Sequence, residues 1–510
     1  MKNISIKKFA AAALITSVIL GTGCAKISEF GDTNNNPNGI TNPPPSALLT
    51  NVGSQMGGFA SNLRRAVYAQ YIAENQYTEV SLYALPLLEM SGTYSGPLND
   101  LQTIINVNSN PATAGAASAD GSNANQIAIA RILKAYIYWT VTDAWGDIPY
   151  SEALLGAANL TPKFDKQEDV YFGMISELKQ AAASFDVGTP IKGDILYGGN
   201  TASWKRLANS MRMMMAMRMS QRYPAAGGLA AVEFADAATA DGGFITDNSQ
   251  NFKIAYPGGA YQNPWYLTYL TRDDYASSKT MGDVLNGLGD TRSTVYGTNS
   301  VMFPYGLTRD LAVAYGNSVG NGQSRVLAVS KRLENSPVTI IPASLVLLAS
   351  AEAKERGWIP GGSGSAELDY NAAITASFNE WGVAMPGGYL TGSANFNAGV
   401  GVPGSIGAEA APYDNFRAAS GNLQDAATPN KLSRIALQRW VCAFPNGQEG
   451  WAEQRRTGVP NLKTTRFNTG PFVTRYVYGN TDYGLNNANT LAAAASIGGD
   501  NQDTKVWWDN

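Results

Sequence analysis

The chain has 510 residues, a formal net charge of −3, no histidine and two cysteines. The missing histidine excludes Ser-His-Asp and Cys-His catalysis and histidine-ligated zinc. The chain has no basic block that could neutralise a run of phosphates, which disfavours nucleic-acid binding. Aromatic residues form 10% of the chain and charged residues only 15%, and this balance suits a surface that binds neutral polar ligands.

The first 24 residues have the layout of a bacterial lipoprotein signal. Three lysines come first, an apolar run from Phe9 to Leu20 follows, and small residues then lead to Cys24. The apolar run is shorter than the roughly 20 residues that span a bilayer. We expect residues 1–23 to be a signal peptide and Cys24 to be acylated; a plain secretory signal with a chance cysteine is the alternative. Acylation would leave Cys442 without a disulfide partner.

Residues 24–45 are predicted to form a flexible, lipid-anchored tether, because Asp32–Asn38 and Pro43–Pro45 are rich in asparagine and proline. Residues 46–510 are predicted to form a single domain. Helical periodicity dominates this domain. The predicted helices come in pairs at 125–145 with 166–185, 201–222 with 228–240, and 342–357 with 366–381, and a further helix covers 432–444.

Long segments rich in Gly, Ser and Asn separate the predicted helices. These predicted loops are 106–124, 247–264, 296–325 and 385–430. Strand-like runs are few and short. The sequence therefore predicts a mostly α-helical scaffold whose long irregular loops carry the binding surface.

Three aromatic segments are candidates for ligand binding, because tyrosine and tryptophan offer apolar faces with polar edges to a sugar. The richest segment combines a Gly/Pro loop with amides and aromatic rings, and its candidates are Tyr261, Asn263, Trp265 and Tyr269. The other candidates are Tyr77, Tyr83, Tyr94 and Tyr305. For each segment the competing interpretation is packing in the core, since Trp265 and Tyr269 are four residues apart and would share one helix face.

Two further patterns allow a chemical and a structural interpretation. Asp143 and Asp147 are a carboxylate pair of the kind that glycosidases use, but two acids beside a Gly and a Pro also satisfy a turn at a helix end. The methionines of 211–219 alternate with two arginines and are typical of core filling rather than of a soft-metal site. The pair Trp507 and Trp508 is expected to dock either a partner or the domain itself.

Several segments of the chain resemble the SusD/RagB family of nutrient-binding outer-membrane lipoproteins. The segments that carry the resemblance are Lys134–Trp139, Asp143–Ala153, Trp204–Asn209, Ala343–Leu345, Ala351–Trp358, Phe444–Glu453, Arg455–Gly458, Gly498–Asn501 and Lys505–Trp508. The resemblance implies a mostly α-helical SusD-like fold in which tetratricopeptide-like helix pairs form the scaffold. Within such a fold the Asp143–Asp147 motif is expected to be structural.

The resemblance also implies a function. The protein would be held by its lipid on the cell-surface face of the outer membrane, bind oligosaccharide, and deliver it to a SusC-like TonB-dependent transporter as the transporter's lid. No catalysis, cofactor or metal is expected. The alternatives are the same architecture capturing peptides, a histidine-free glycoside hydrolase that uses two carboxylates, and a helical-repeat scaffold that binds only protein.

Overall fold

The computed structural model describes residues 43–390, 431–462 and 467–509. The predicted signal peptide, Cys24, most of the predicted tether and most of the predicted loop 385–430 therefore lie outside the described residues. Contacts group Pro45–Asn510 into one compact unit. Among the described helices, none is long and apolar enough to cross a bilayer.

The fold is mostly helical, as the sequence predicts. The α-helices are α1 Pro45–Ala60, α2 Leu63–Tyr68, α3 Ser91–Thr93, α4 Asn99–Ser109, α5 Ala114–Ala117, α6 Asn123–Trp145, α7 Gln167–Ala183, α8 Thr201–Arg218, α9 Leu229–Thr239, α10 Pro264–Thr268, α11 Lys279–Gly287, α12 Ser293–Tyr296, α13 Arg309–Ser318, α14 Ala343–Glu355, α15 Gly362–Trp381, α16 Lys431–Ala443, α17 Gly447–Thr457, α18 Asn480–Leu485 and α19 Asn487–Ser496. A π-helical turn, Tyr94–Leu98, joins α3 to α4. Short 3-10 turns are Ser118–Asp120, Gly156–Ala158, Met219–Gln221, Asn248–Gln250 and Val329–Lys331.

The members of the three predicted helix pairs pack against each other: α6 against α7, α8 against α9, and α14 against α15. Helix α16, predicted as a single helix, packs against α17 as a fourth pair. Helix α6 begins where the Ser122 side chain accepts a hydrogen bond from the Asn125 amide, and it ends at Gly146, whose φ of 87° is left-handed. Nearly every residue of α6 after its first turn is buried, which identifies it as an inner helix of the core.

Three predicted loops are wrong in part: 247–264 contains a 3-10 turn and a strand, Phe252–Ile254, and two others contain α-helices. Helix α4 continues to Ser109 and α5 follows within the segment 106–124, while α13 lies within 296–325. Gly, Ser and Asn lower helix propensity in both segments. Packing overrides that propensity, since Ala117 of α5 and Ala312 of α13 are buried against the rest of the domain.

The strands form three two-stranded antiparallel sheets. The pairs are β1 Ile72–Glu74 with β5 Tyr275–Ser277, β2 Ile148–Pro149 with β3 Phe164–Asp165, and β4 Phe252–Ile254 with β6 Val338–Ile341. The register places Glu74 opposite Tyr275 and Lys253 opposite Thr339. These pairings bring together loops that are about 200 residues and about 80 residues apart in the sequence.

The structure shows how the methionines of 211–219 and the pair Trp507 and Trp508 pack. The six methionines between residues 211 and 219 are at most 1% exposed, which confirms that they fill the core. Trp508 is fully buried, and its Nε1 donates a 2.8 Å hydrogen bond to Oδ1 of Asp143. Arg455 and Arg218 place guanidinium carbons 4.6 and 5.4 Å from its ring centroid. Trp508 thus docks the domain's own core, while Trp507 is half-buried beside it.

Candidate ligand-binding surface

Four of the eight candidate ligand-binding residues are buried. Tyr83, Asn263 and Trp265 are each 1% exposed, and Tyr305 is fully buried. The rings of Tyr83 and Tyr305 lie 6.3 Å apart, and the Tyr83 hydroxyl accepts a hydrogen bond from Gln70. Tyr83 and Tyr305 therefore pack in the core, whereas Asn263 and Trp265 line a cavity that is described below.

Tyr94 is half-buried and serves a local contact. Its hydroxyl donates a 2.6 Å hydrogen bond to the Pro149 carbonyl, and its ring meets the edge of Tyr138 at 5.9 Å. Burial raises the pKa of Tyr94 well above its usual value. Tyr94 thereby holds the π-helical turn against strand β2.

Tyr77 lies on the surface beside the turn that precedes β5. Its side chain is 53% exposed, and the guanidinium carbon of Arg272 lies 5.0 Å from its ring centroid. Arg272 also forms a 2.6 Å ion pair with Asp274. The Asn75 amide donates to the Asp274 carbonyl, so the β1–β5 pairing continues outward and sets Tyr77 next to Arg272.

Tyr269 is half-buried and contacts two arginines near this surface. Its hydroxyl donates to the Tyr275 carbonyl and accepts from the Val326 amide. Arg325 and Arg332 place guanidinium carbons 5.4 and 4.6 Å from its ring centroid. Burial raises the pKa of Tyr269. The ring therefore fixes the two arginines, a cation–π arrangement that keeps them in defined positions.

Tyr261 lies near the start of the segment 258–275, which also contains Tyr269, and is 60% exposed. It closes a tight turn with Gly258, whose φ of 83° is followed by 64° at Gly259. Both values are left-handed, so this turn favours glycine at both positions. Next to it, Gln262 Nε2 donates to the carboxylate of Glu334 at 3.0 Å.

Asn263 holds this segment in place. Its Oδ1 accepts hydrogen bonds from the Trp265 and Tyr266 amides, which caps α10, and its Nδ2 donates to the Ser336 carbonyl. The Asn263 amide itself donates to the Glu334 carbonyl at 2.9 Å. Hydrogen bonds to the loop 325–336 thus hold the segment 258–275 in place.

We name the resulting surface the aromatic–arginine strip. Its members are Tyr77, Tyr261, Gln262, Tyr269, Arg272, Asp273, Asp274, Arg325 and Glu334. Exposed tyrosine faces can stack on the C–H face of a sugar, and guanidinium and carboxylate groups can exchange hydrogen bonds with its hydroxyls. The sequence interpretation missed the charged members. The run Arg272-Asp273-Asp274, which begins three residues after Tyr269, is the signal that could have pointed to them.

A cavity of about 340 Å³ lies on the inner side of the same segment. Its walls include the two predicted residues Asn263 and Trp265, together with Lys253, Lys331 and Glu380. Burial raises the pKa of Glu380, although the Thr339 side chain hydrogen-bonds its carboxyl and both lysine charges oppose the shift. Lys253 lies on strand β4, Lys331 ends the 3-10 turn that precedes β6, and Glu380 lies near the end of α15.

Asp143 and Asp147 are both used by the protein itself. Asp143 is fully buried and accepts hydrogen bonds from Tyr171 and Trp508, with Arg218 at 3.7 Å. Asp147 accepts from the Gln167 amide at 2.9 Å and the Ser496 hydroxyl at 2.8 Å, and burial raises its pKa. These contacts tie α6 to α7 and α19, which is the structural interpretation of the motif. Within the described residues, no group of three or more acidic or cysteine side chains could hold a metal ion.

Comparison with known proteins agrees with this architecture. A SusD-like family profile, described as starch-binding and associating with the outer membrane, matches residues 37–479. No curated protein sequence matches the chain.

Three solved structures share the fold. A SusD homolog from Bacteroides uniformis superposes with a TM-score of 0.74 at 24% identity, covering 91% of this chain and 99% of its own. A SusD homolog from Bacteroides vulgatus gives 0.71 at 22% identity, over 91% and 97% of the two chains. A chitin-binding SusD homolog from Flavobacterium johnsoniae gives 0.68 at 23% identity, over 91% and 98%.

The family profile spans most of the chain, and the helix pairs, the buried Asp143–Asp147 motif and the C-terminal Trp508 occupy one continuous core. The chain therefore belongs to the SusD-like family, which is described as starch-binding and associating with the outer membrane.

Proposed function

We propose that this protein binds oligosaccharide at the aromatic–arginine strip and delivers it to a SusC-like TonB-dependent transporter, acting as the transporter's lid. The strip carries the proposal, because it combines the exposed tyrosines Tyr77 and Tyr261 with charged groups on and around the segment 258–275. The family's description as starch-binding supports a carbohydrate ligand, and so does the chitin-binding neighbour of the same fold. The proposed role is capture without catalysis.

In this proposal the exposed rings of Tyr77 and Tyr261 stack on sugar units. Arg272 and Arg325 donate hydrogen bonds to hydroxyls, and Glu334 accepts them. Tyr269 holds Arg325 in position through its ring. Of the remaining candidates, Asn263 and Trp265 belong to the segment 258–275 that carries most of the strip, while Tyr83, Tyr94 and Tyr305 make packing contacts elsewhere in the domain. Stacking on exposed rings and hydrogen bonds to exposed polar groups allow reversible binding, which delivery to a second protein requires.

The proposal includes the anchor. Acylated Cys24 would hold the protein on the cell-surface face of the outer membrane, and the tether 24–45 would let the domain move above the transporter while it stays attached. Co-purification with the transporter from membranes in mild detergent tests this part. Recovery of the protein alone under those conditions would count against the lid.

Isothermal titration of the purified protein tests the ligand class. We expect binding to at least one member of a panel of malto- and chito-oligosaccharides and none to a pool of short peptides. Binding to peptides alone would replace the oligosaccharide proposal with peptide capture. Product analysis after long incubation with the bound oligosaccharide is expected to show no cleavage, and any turnover would support the hydrolase alternative.

A further inference from the structure

The cavity beside the strip has an unusual charge arrangement. Its charged lining residues within the described part of the chain are Lys253, Lys331 and Glu380, two cations and one acid. Neither lysine forms an ion pair with a described carboxylate, whereas most buried arginines of the domain do. Lys253 is exposed and Lys331 is half-buried, and both positive charges would attract an anion that enters the cavity.

The single acid of the cavity does not neutralise the two lysines fully. Glu380 is half-buried and the Thr339 side chain hydrogen-bonds its carboxyl; burial raises its pKa, while both lysine charges act in the opposite direction. Two cations against one acid leave the cavity lining with an excess of positive charge, which favours a negatively charged ligand.

The other walls suit a sugar ring. Trp381 is half-buried and lines the cavity, and Ser330, Asn248 and Asn251 contribute polar groups. Trp265 Nε1 and Asn248 Oδ1 are buried without a hydrogen-bond partner among the described residues, so the wall holds an unsatisfied donor and an unsatisfied acceptor. The volume, about 340 Å³, lies within the range of about 300–1,000 Å³ typical of small-molecule pockets.

We propose that this cavity binds a carboxylate-bearing sugar unit, a uronic acid at an end or branch of the captured oligosaccharide, between Lys253 and Lys331. The proposal rests on the oligosaccharide function proposed above, because the cavity and the strip are built on the same segment 258–275. Trp381 packs against the sugar ring and the polar wall residues meet its hydroxyls. The strip would then bind the neutral part of the oligosaccharide, and the cavity would bind its acidic sugar unit.

Titration with matched monosaccharides tests this site. D-glucuronate and D-galacturonate are compared with D-glucose, D-galactose and sodium acetate, and tryptophan fluorescence follows binding because Trp265 and Trp381 line the cavity. We expect both uronates to bind at least about tenfold more tightly than the neutral sugars and than acetate, as charge-assisted hydrogen bonds predict. K331M and K253M should each abolish this preference. K192M, a lysine on the surface outside the cavity, should leave it intact.

The outcomes separate the two proposals. Equal binding of uronates and neutral sugars, or a preference that persists in both K253M and K331M, overturns the acidic-sugar site while oligosaccharide binding stands. Acetate that binds as tightly as the uronates also overturns it, since the cavity would then be a general anion site. If neither monosaccharides nor the oligosaccharide panel bind the unmodified protein, the proposed function fails and this inference with it. Circular dichroism of each variant verifies that it is folded.

Discussion

Replacing Trp508 by alanine should be among the most destabilising single changes in this domain. The ring is fully buried, lies beside Arg455 and Arg218, and donates its Nε1 hydrogen to Asp143. Truncating a buried tryptophan costs about 3–5 kcal/mol. Removing the donor also leaves the Asp143 carboxylate short of a partner in the core, which adds about 1–3 kcal/mol. Because native domains are stable by only about 5–15 kcal/mol, we expect Trp508→Ala to lose about half of the folding free energy or more.

Urea denaturation followed by far-ultraviolet circular dichroism measures this effect. Trp508→Phe keeps most of the apolar area but removes the hydrogen-bond donor, so it should fall between the alanine variant and the unmodified protein. Trp507→Ala is the matched control, since Trp507 is half-buried and should lose less. If Trp508→Ala changes the unfolding midpoint no more than Trp507→Ala does, Trp508 is not part of the core and the reasoning is refuted.

Two further predictions concern stability. Burial raises the pKa of Glu74 to about 7 from 4.5, so the folded state holds the proton and stability should fall as pH rises through that window, by at most about 3 kcal/mol. Glu74→Gln should remove this fall in melting curves recorded from pH 4 to 8, whereas the exposed Glu79→Gln should retain it. A Cβ on Gly450 of α17 would lie 2.1 Å from the Tyr71 hydroxyl, so Gly450→Ala should cost about 1–3 kcal/mol or more. Gly364→Ala, in open space on α15, should be neutral or stabilising by up to about 1 kcal/mol; equal thermal shifts in the two glycine variants would contradict the packing described.

The scaffold was predictable because helical periodicity is a local signal. The apolar residues of α6, α8 and α14 recur at helical spacing within one segment of sequence, and the structure confirms the helices they predict. Short helices were not predictable in the same way. Helix α5 has four residues and depends on contacts with the rest of the domain rather than on its own propensity.

The candidate surface was predictable only in part, for a related reason. Tyr77 and Tyr83 are six residues apart in similar sequence, yet one is exposed and the other is buried against Tyr305. Composition cannot separate them, because exposure depends on which distant segment packs on each ring. Arg272 reaches Tyr77 through the β1–β5 pairing, and Arg325 reaches Tyr269 through a loop more than 50 residues away. Such contacts follow from tertiary structure and leave no local pattern in the sequence.

The central claim is that the exposed tyrosines of the strip bind oligosaccharide. Its most direct test is isothermal titration of the double variant Tyr77→Ala/Tyr261→Ala with the oligosaccharide that the unmodified protein binds best. Each lost ring should cost about 1 kcal/mol of binding free energy, so the account predicts an affinity at least about tenfold weaker with unchanged thermal stability. Phe172→Ala removes a partly exposed ring outside the strip and should bind like the unmodified protein. Unchanged affinity in the double variant would contradict the account.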